Sequence, residues 1–317
     1  MQRLVYLLGS LSVPWLVAQE PAFRTTVPLV IAPTTVTDRA GRYVDGLSAK
    51  DFLLYDNRRP QSLHLDVAFV PISLVVAVQC SAISAPALQK CRKIGSMIEP
   101  LIIGERGEAA VLAFDSRLRM VQPFTSDPHV LTRALKQIKP GDSGSRMIDA
   151  VVHSVRLLAD RPPNRRRVVL LLSEAKDRSS ETKLEDAVSL AQHRNVTIYP
   201  VTYSAFLTAF TTRPEAGPPP ANGGMNLLAI FTELARLAST NTAEAFSKYT
   251  GGRRLSFLKQ RSLEQAVSSI GEELHSQYLL SYTPPPGEPG FHEIEVRIWG
   301  HSDVIIRTRP GYWPLAN

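Results

Sequence analysis

The chain has 317 residues, 44% of them apolar and 21% charged, with a formal charge of +7. This is an ordinary globular composition, long enough for one large domain or for one domain with a small companion, and it allows a sizeable core. The basic residues form no single stripe, and the densest run, Arg165-Arg166-Arg167, stands just before an apolar strand. It reads as a solvated loop, which sets nucleic acid aside as a partner.

The first residues, MQRLVYLLGSLSVPWLVAQEP, carry one basic residue at Arg3, an apolar stretch over 4–17 and a polar shift after Ala18. This is the pattern of a secretory signal peptide over residues 1–18, cut near the bond between Ala18 and Gln19. The stretch is too short for a membrane span and is broken by Pro14, and no other run reaches spanning length. The mature chain is therefore expected to be secreted, or held in the periplasm or cell envelope, with no membrane span. Of the two cysteines, Cys80 lies in a turn and Cys91 about two helical turns further on. Disulfide geometry needs Cα atoms within roughly 7 Å, so two small buried thiols are expected rather than a bridge.

Residues 23–70 read as strands and turns. Residues 26–36 are rich in Val, Thr and Ile, 37–42 are turn chemistry, 53–57 form another strand, and Leu63, Leu65, Val67 and Phe69 alternate. At residue 72 the pattern changes. Leu74-Val75-Val76-Ala77-Val78 is an unbroken apolar run, as in a strand buried on both faces. A polar turn over 79–84 follows, then a helix carrying Leu88, Ile94, Met97 and Ile98. Residues 109–114 give a second buried strand and 117–122 an antiparallel edge strand. Residues 128–138 are helical, and 145–158 form a strong helix with Met147, Ile148, Val151, Val152, Val155 and Leu158 on one face. Another strand follows at 168–172, a helix at 184–193 and a strand at 196–201. This alternation predicts an α/β fold, a doubly wound, mostly parallel sheet with right-handed crossovers.

Residues 204–226, with Pro218-Pro219-Pro220 and Gly223-Gly224, read as a flexible insertion. Helices are expected at 227–237 and 263–274. The tail is β again, at 278–282, around Ile294, Val296 and Ile298, and at 303–308. The expected organisation is an N-terminal β-segment (23–70), an α/β domain (71–275), and a C-terminal β-segment (276–317) that pairs with the first to make one small β module.

Three stretches carry a resemblance. They are Gln79-Cys80-Ser81-Ala82-Ile83 at the end of the first α/β strand, Gly46-Leu47-Ser48-Ala49-Lys50-Asp51-Phe52 before it, and the Thr250-Gly251-Gly252 turn. With the strand order they resemble von Willebrand factor A-type domains, in particular those of secreted acidobacterial proteins, over about residues 30–312. The resemblance implies a Rossmann-like fold and a metal-dependent adhesion site on three loops. Its Asp-x-Ser-x-Ser motif falls on Gln79, Ser81 and Ile83, its threonine on Ser145, and its Thr-Asp-Gly aspartate on Glu174. An amide stands for the first carboxylate and an apolar group for the last serine. Mg²⁺ wants oxygen ligands at about 2.1 Å and leans on carboxylates. The site is thus degenerate: no cofactor is expected, and weak Mg²⁺ or Mn²⁺ binding, with Asp142 or Asp177 compensating, is the alternative.

Enzyme signatures are scarce. There is no phosphate-binding glycine loop and no Gly-x-Ser-x-Gly elbow, and the seven histidines have no paired metal spacing. His153, within a helix, reads as an ordinary structural residue. No catalytic residue is assigned. The expected function is a secreted, non-enzymatic protein-binding module that meets a protein partner at the rim formed by Gln79, Ser81, Asp142, Ser145, Glu174 and Asp177. A structural component of a cell-envelope assembly, held by its β module, is the alternative. A hydrolase using Ser81 and Glu174, which lacks a histidine base, comes third.

Overall fold

The computed structural model describes residues 29–66, 70–203, 227–284, 289–301 and 303–314. The expected signal peptide, the insertion over 204–226, and Val67 and Phe69 lie outside the described residues. The first strands are β1 (Val30–Asp38), β2 (Phe52–Asp56), β3 (Arg59–Gln61) and β4 (His64–Asp66). Then β5 (Ile72–Gln79) begins the α/β part. It is followed by α1 (Ala85–Cys91), α2 (Gly95–Ile98), β6 (Glu108–Phe114), β7 (Leu118–Thr125), α3 (Pro128–Gln137), α4 (Met147–Ala159), β8 (Arg166–Ser173), α5 (Leu184–His193) and β9 (Val196–Thr202). After residue 226 come α6 (Leu227–Thr240), α7 (Thr242–Thr250), β10 (Leu255–Ser256), α8 (Gln260–Ser276), β11 (Tyr278–Tyr282), β12 (His292–Ile298), β13 (Val304–Arg307) and β14 (Gly311–Tyr312).

Among these residues one sheet has the order β10-β9-β8-β5-β6-β7, parallel throughout except for the antiparallel edge strand β7. Every residue of β5 is buried. Leu74, Val76 and Val78 point into a core shared with α1, α2, α3 and α8, while Val75 and Ala77 point into one shared with α4, α5, α6 and α7. Because successive side chains point to opposite faces, a central strand covered by helices on both sides must be apolar at every position. That requirement explains the unbroken run in the sequence, and the doubly wound sheet expected from it is present.

Two local readings differ. The helix expected through residue 98 is broken: α1 ends at Cys91, i→i+3 turns carry the chain to α2, and a π-turn over Glu99–Ile103 follows. Pro100 supplies no amide donor inside that last turn. The stretch before the Thr-Gly-Gly turn, in contrast, holds a helix that apolar periodicity alone did not separate from its predecessor. This helix, α7, starts at Asn241, whose side chain accepts the Glu244 N–H at 3.1 Å, and ends at Gly251 with φ of +81°. An amide cap and a left-handed glycine are ordinary helix punctuation.

The ends of the chain meet. β1 pairs with β11 and β13, β4 with β11, and β2 with β12 and β3, giving sheets ordered β13-β1-β11-β4 and β14-β12-β2-β3. Val30, Ala32, Val36, Phe52, Leu54, Leu280, Ile294 and Val296 fill a core of their own. A buried polar cluster sits against it. The fully buried Asp56 accepts from Tyr282 OH at 2.9 Å and Tyr312 OH at 2.8 Å, and lies 2.8 Å from His292 Nδ1. Arg307 on β13 reaches back to Glu273 on α8 at 2.6 Å and to the Gly252 carbonyl at 2.6 Å, tying this layer to the α/β part.

Candidate functional site

In an open α/β sheet the polar loops beyond the carboxyl ends of the strands are where ligands bind. Three of them meet here. The loop after β5 (79–84) joins the loop before α4 through Gly141 N–H to Cys80 O at 2.7 Å and Ala82 N–H to Asp142 O at 3.0 Å. The loop before α4 joins the loop after β8 through Arg178 N–H and Ser179 N–H, which both donate to Ser145 O, and through Ser145 N–H, which donates to Ser179 Oγ at 3.0 Å. The loop after β8 returns to the first through Glu174 and Gln79. The ring is thus closed by hydrogen bonds. Gly141 is required within it, since a Cβ there would stand 1.8 Å from Asp115 Oδ2.

At its centre Gln79, 1% exposed, binds Glu174 twice. Gln79 Oε1 accepts the Glu174 N–H at 2.9 Å, and Gln79 Nε2 donates to Glu174 Oε2 at 3.2 Å and to Ser81 Oγ at 2.9 Å. The backbone N–H fixes which way the amide points, because reversing it would set oxygen against carboxylate oxygen and NH₂ against N–H. Arg178 Nη2 lies 3.3 Å from Glu174 Oε1.

The structure brings Gln79, Ser81 and Glu174 into direct contact and seats Ser145 in the same ring. Ser145 Oγ is buried and, among the described residues, has no hydrogen-bond partner. Ile83 stands outward, 41% exposed. Asp142 is exposed and accepts from Ser116 Oγ at 2.7 Å. Asp177 is turned away from the ring: it accepts the Ile148 N–H of α4 at 3.1 Å and the Ser180 Oγ–H at 2.7 Å. It serves α4 as a first-turn carboxylate.

These residues do not fit a hard dication. The amide NH₂ of Gln79 is directed at the two oxygens, Ser81 Oγ and Glu174 Oε2, that a metal would need, and Gln79 Oε1 is taken by a backbone donor. One carboxylate remains, and a guanidinium already faces it. Among the described residues no group of three or more His, Cys, Asp or Glu side chains is placed to hold a metal.

Sequence reasoning missed two features. Arg178 lies four residues after Glu174, a spacing that could have flagged the pair. Asp115 is the other: buried, it accepts from Arg119 Nη2 at 2.6 Å and from Arg117 N–H at 2.8 Å. Burial works against its charge, but these donors outweigh it and hold the carboxyl below its usual range. Arg119 Nη2 also lies 2.9 Å from Cys80 Sγ. Burial still pushes that thiol up to about 11, and Cys91 up to about 12. Both cysteines are free, as expected.

No protein-family model and no curated protein matches the chain. Similar solved structures include a von Willebrand factor type A protein from Catenulispora acidiphila, at 9% identity over 92% of this chain and 75% of that one, with a TM-score of 0.46. Another is the conserved hypothetical protein BatB from Bacteroides thetaiotaomicron, at 14% identity over 63% and 99%, TM-score 0.44. A third is proximal thread matrix protein 1 from the mussel byssus, solved with a zinc-occupied MIDAS motif, at 16% identity, TM-score 0.45; the match covers 70% of this chain and half of that one.

Proposed function

We propose that the chain is a secreted, non-enzymatic protein-binding module that meets its partner at the loop rim without a metal, in the cell envelope or outside the cell. The observation that carries the reading is the Gln79–Glu174–Ser81 network. It satisfies internally the groups that would otherwise ligate a cation and latches the loops after β5 and β8, and the backbone bonds at Gly141, Ala82 and Ser145 add the loop before α4, so that three loops form one surface with Ile83 and Arg178 facing outward. A rigid rim loses little conformational entropy on binding. Ser81 accepts a hydrogen bond from an amide, and among the described residues no histidine is hydrogen-bonded to Ser81 or Ser145, so these hydroxyls lack the paired base that such nucleophiles need.

The test is capture of partners from the native envelope fraction by the purified protein, repeated with Ile83→Arg. Specific capture lost in the variant supports a recognition rim. A large assembly that co-purifies equally with both proteins supports instead a structural role carried by the β module, where Trp299 is 73% exposed.

A further inference from the structure

The loop after β8 carries charge in an unusual arrangement. Its backbone is held firmly: Asp177 N–H donates to Thr242 Oγ1 at 3.0 Å, Ala175 O accepts from Ala243 N–H at 3.0 Å, and Asp149 accepts from Glu181 N–H and Thr182 N–H. Along it side chains alternate. Asp177 turns inward to α4, and Lys176 and Arg178 on either side of it are exposed. Arg178 is 49% exposed and spends one nitrogen, Nη2, on Glu174. Among the described residues its Nε and Nη1, and the Lys176 ammonium, have no hydrogen-bond or ion-pair partner. The acidic groups nearby are engaged: Asp142 by Ser116, Asp149 and Glu181 by Arg146.

We propose that Lys176 and Arg178 form a carboxylate-recognising surface that receives acidic side chains, Asp or Glu, of a protein partner, with Ile83 across the ring taking an apolar side chain beside them. This rests on the binding-module reading and gives its partner a chemistry. The misfit of the ring to a metal is part of the argument. With an uncharged amide at Gln79, the Glu174 carboxylate is faced by the Arg178 guanidinium and Lys176 leaves this edge net positive, and the planar fork of Arg178 suits a carboxylate. Glu174 both anchors that fork and leaves its far edge free. The rigid backbone means little ordering is lost when an acid docks.

The experiment selects a random-peptide display library on the full-length protein, then measures the selected peptides against Lys176→Ala, Arg178→Ala, Arg178→Lys and Ile83→Arg. The expected result is peptides enriched in Asp or Glu. Their affinity should fall about tenfold to a hundredfold in Arg178→Ala, less in Arg178→Lys, and weaken with added salt. Arg178 is half exposed, so an unchanged melting temperature will show that the variants fold. Peptides without acidic enrichment that are nonetheless lost in Ile83→Arg overturn this inference and leave the rim reading standing. Acidic peptides that bind Arg178→Ala as tightly as wild type overturn it too. A library that yields no binder overturns both.

Discussion

Gln79 and Glu174 hold each other through a two-way exchange, the backbone N–H of Glu174 to Gln79 Oε1 and the Gln79 amide to Glu174 Oε2, at 2.9 and 3.2 Å. Two neighbouring sheet strands are thereby latched at their carboxyl ends, because Gln79 closes β5 and Glu174 follows β8.

The latch predicts how metal responds. Wild-type protein should show no Mg²⁺ or Mn²⁺ binding by calorimetry at millimolar metal. Gln79→Asp with Ile83→Ser trades the amide for a carboxylate facing Glu174, so the variant should be less stable alone and gain both measurable affinity and a metal-dependent rise in melting temperature. Adding Ser81→Ala should remove the gain. Metal heat in the wild type at micromolar affinity would contradict the latch.

Truncation after Ser276 removes β11 to β14, the partners of β1, β2 and β4. Since an isolated strand pair is marginal at best, amide exchange over residues 30–56 should lose its protection while β5, β8 and β9 keep theirs. Unchanged protection in β1 would show that it holds without the tail.

Asp56→Ala should be severe. It removes the acceptor that Tyr282 OH, Tyr312 OH and His292 Nδ1 share in an apolar core, at a cost of about 3–5 kcal/mol. Asp56→Asn keeps an acceptor and should cost about 1–3 kcal/mol. Urea midpoints with unchanged slopes are the measure, and equal losses in the two variants would mean that the charge, not the hydrogen bonds, matters.

Acid should loosen the rim before the sheet. The Asp149 carboxyl is buried, which opposes its charge, yet Thr182, Arg146 and the Glu181 and Thr182 amides hold it below its usual value. A depressed folded-state pKa contributes stability above the unfolded value, and that contribution fades as pH falls through the folded one. The protection factors over residues 177–183, corrected for the intrinsic pH dependence of exchange, should therefore fall below about pH 4, and Asp149→Asn should abolish that fall.

Much of this architecture was legible in the sequence because burial on two faces writes itself as an uninterrupted apolar run, as in β5 and β8. The strand at the C-terminal end was legible from the alternation of Ile294, Val296 and Ile298, but alternation does not name a strand's partner. The broken helix at Cys91 was not, since the apolar spacing of Leu88, Ile94 and Ile98 survives a tight turn. At the rim, the sequence aligned Gln79, Ser81 and Glu174 with one another but could not tell where each side chain points. Asp177 turns to α4, and Arg178, whose spacing of four from Glu174 hinted at a pair, is placed over it by the path of the loop.

The register of β1 carries a consequence for how the chain is made. Thr35 receives Arg307 from 272 positions away, so β1, β2 and β4 emerge from the ribosome long before most of their partners exist. The β5–β9 region can condense on its own neighbours first, while the early strands wait with open edges. Such high contact order slows the last step and exposes those edges to aggregation. Closure of the module is then a completion signal: a chain cut short anywhere before β13 should be recognisable to chaperones and proteases by a first strand that never finds its edge.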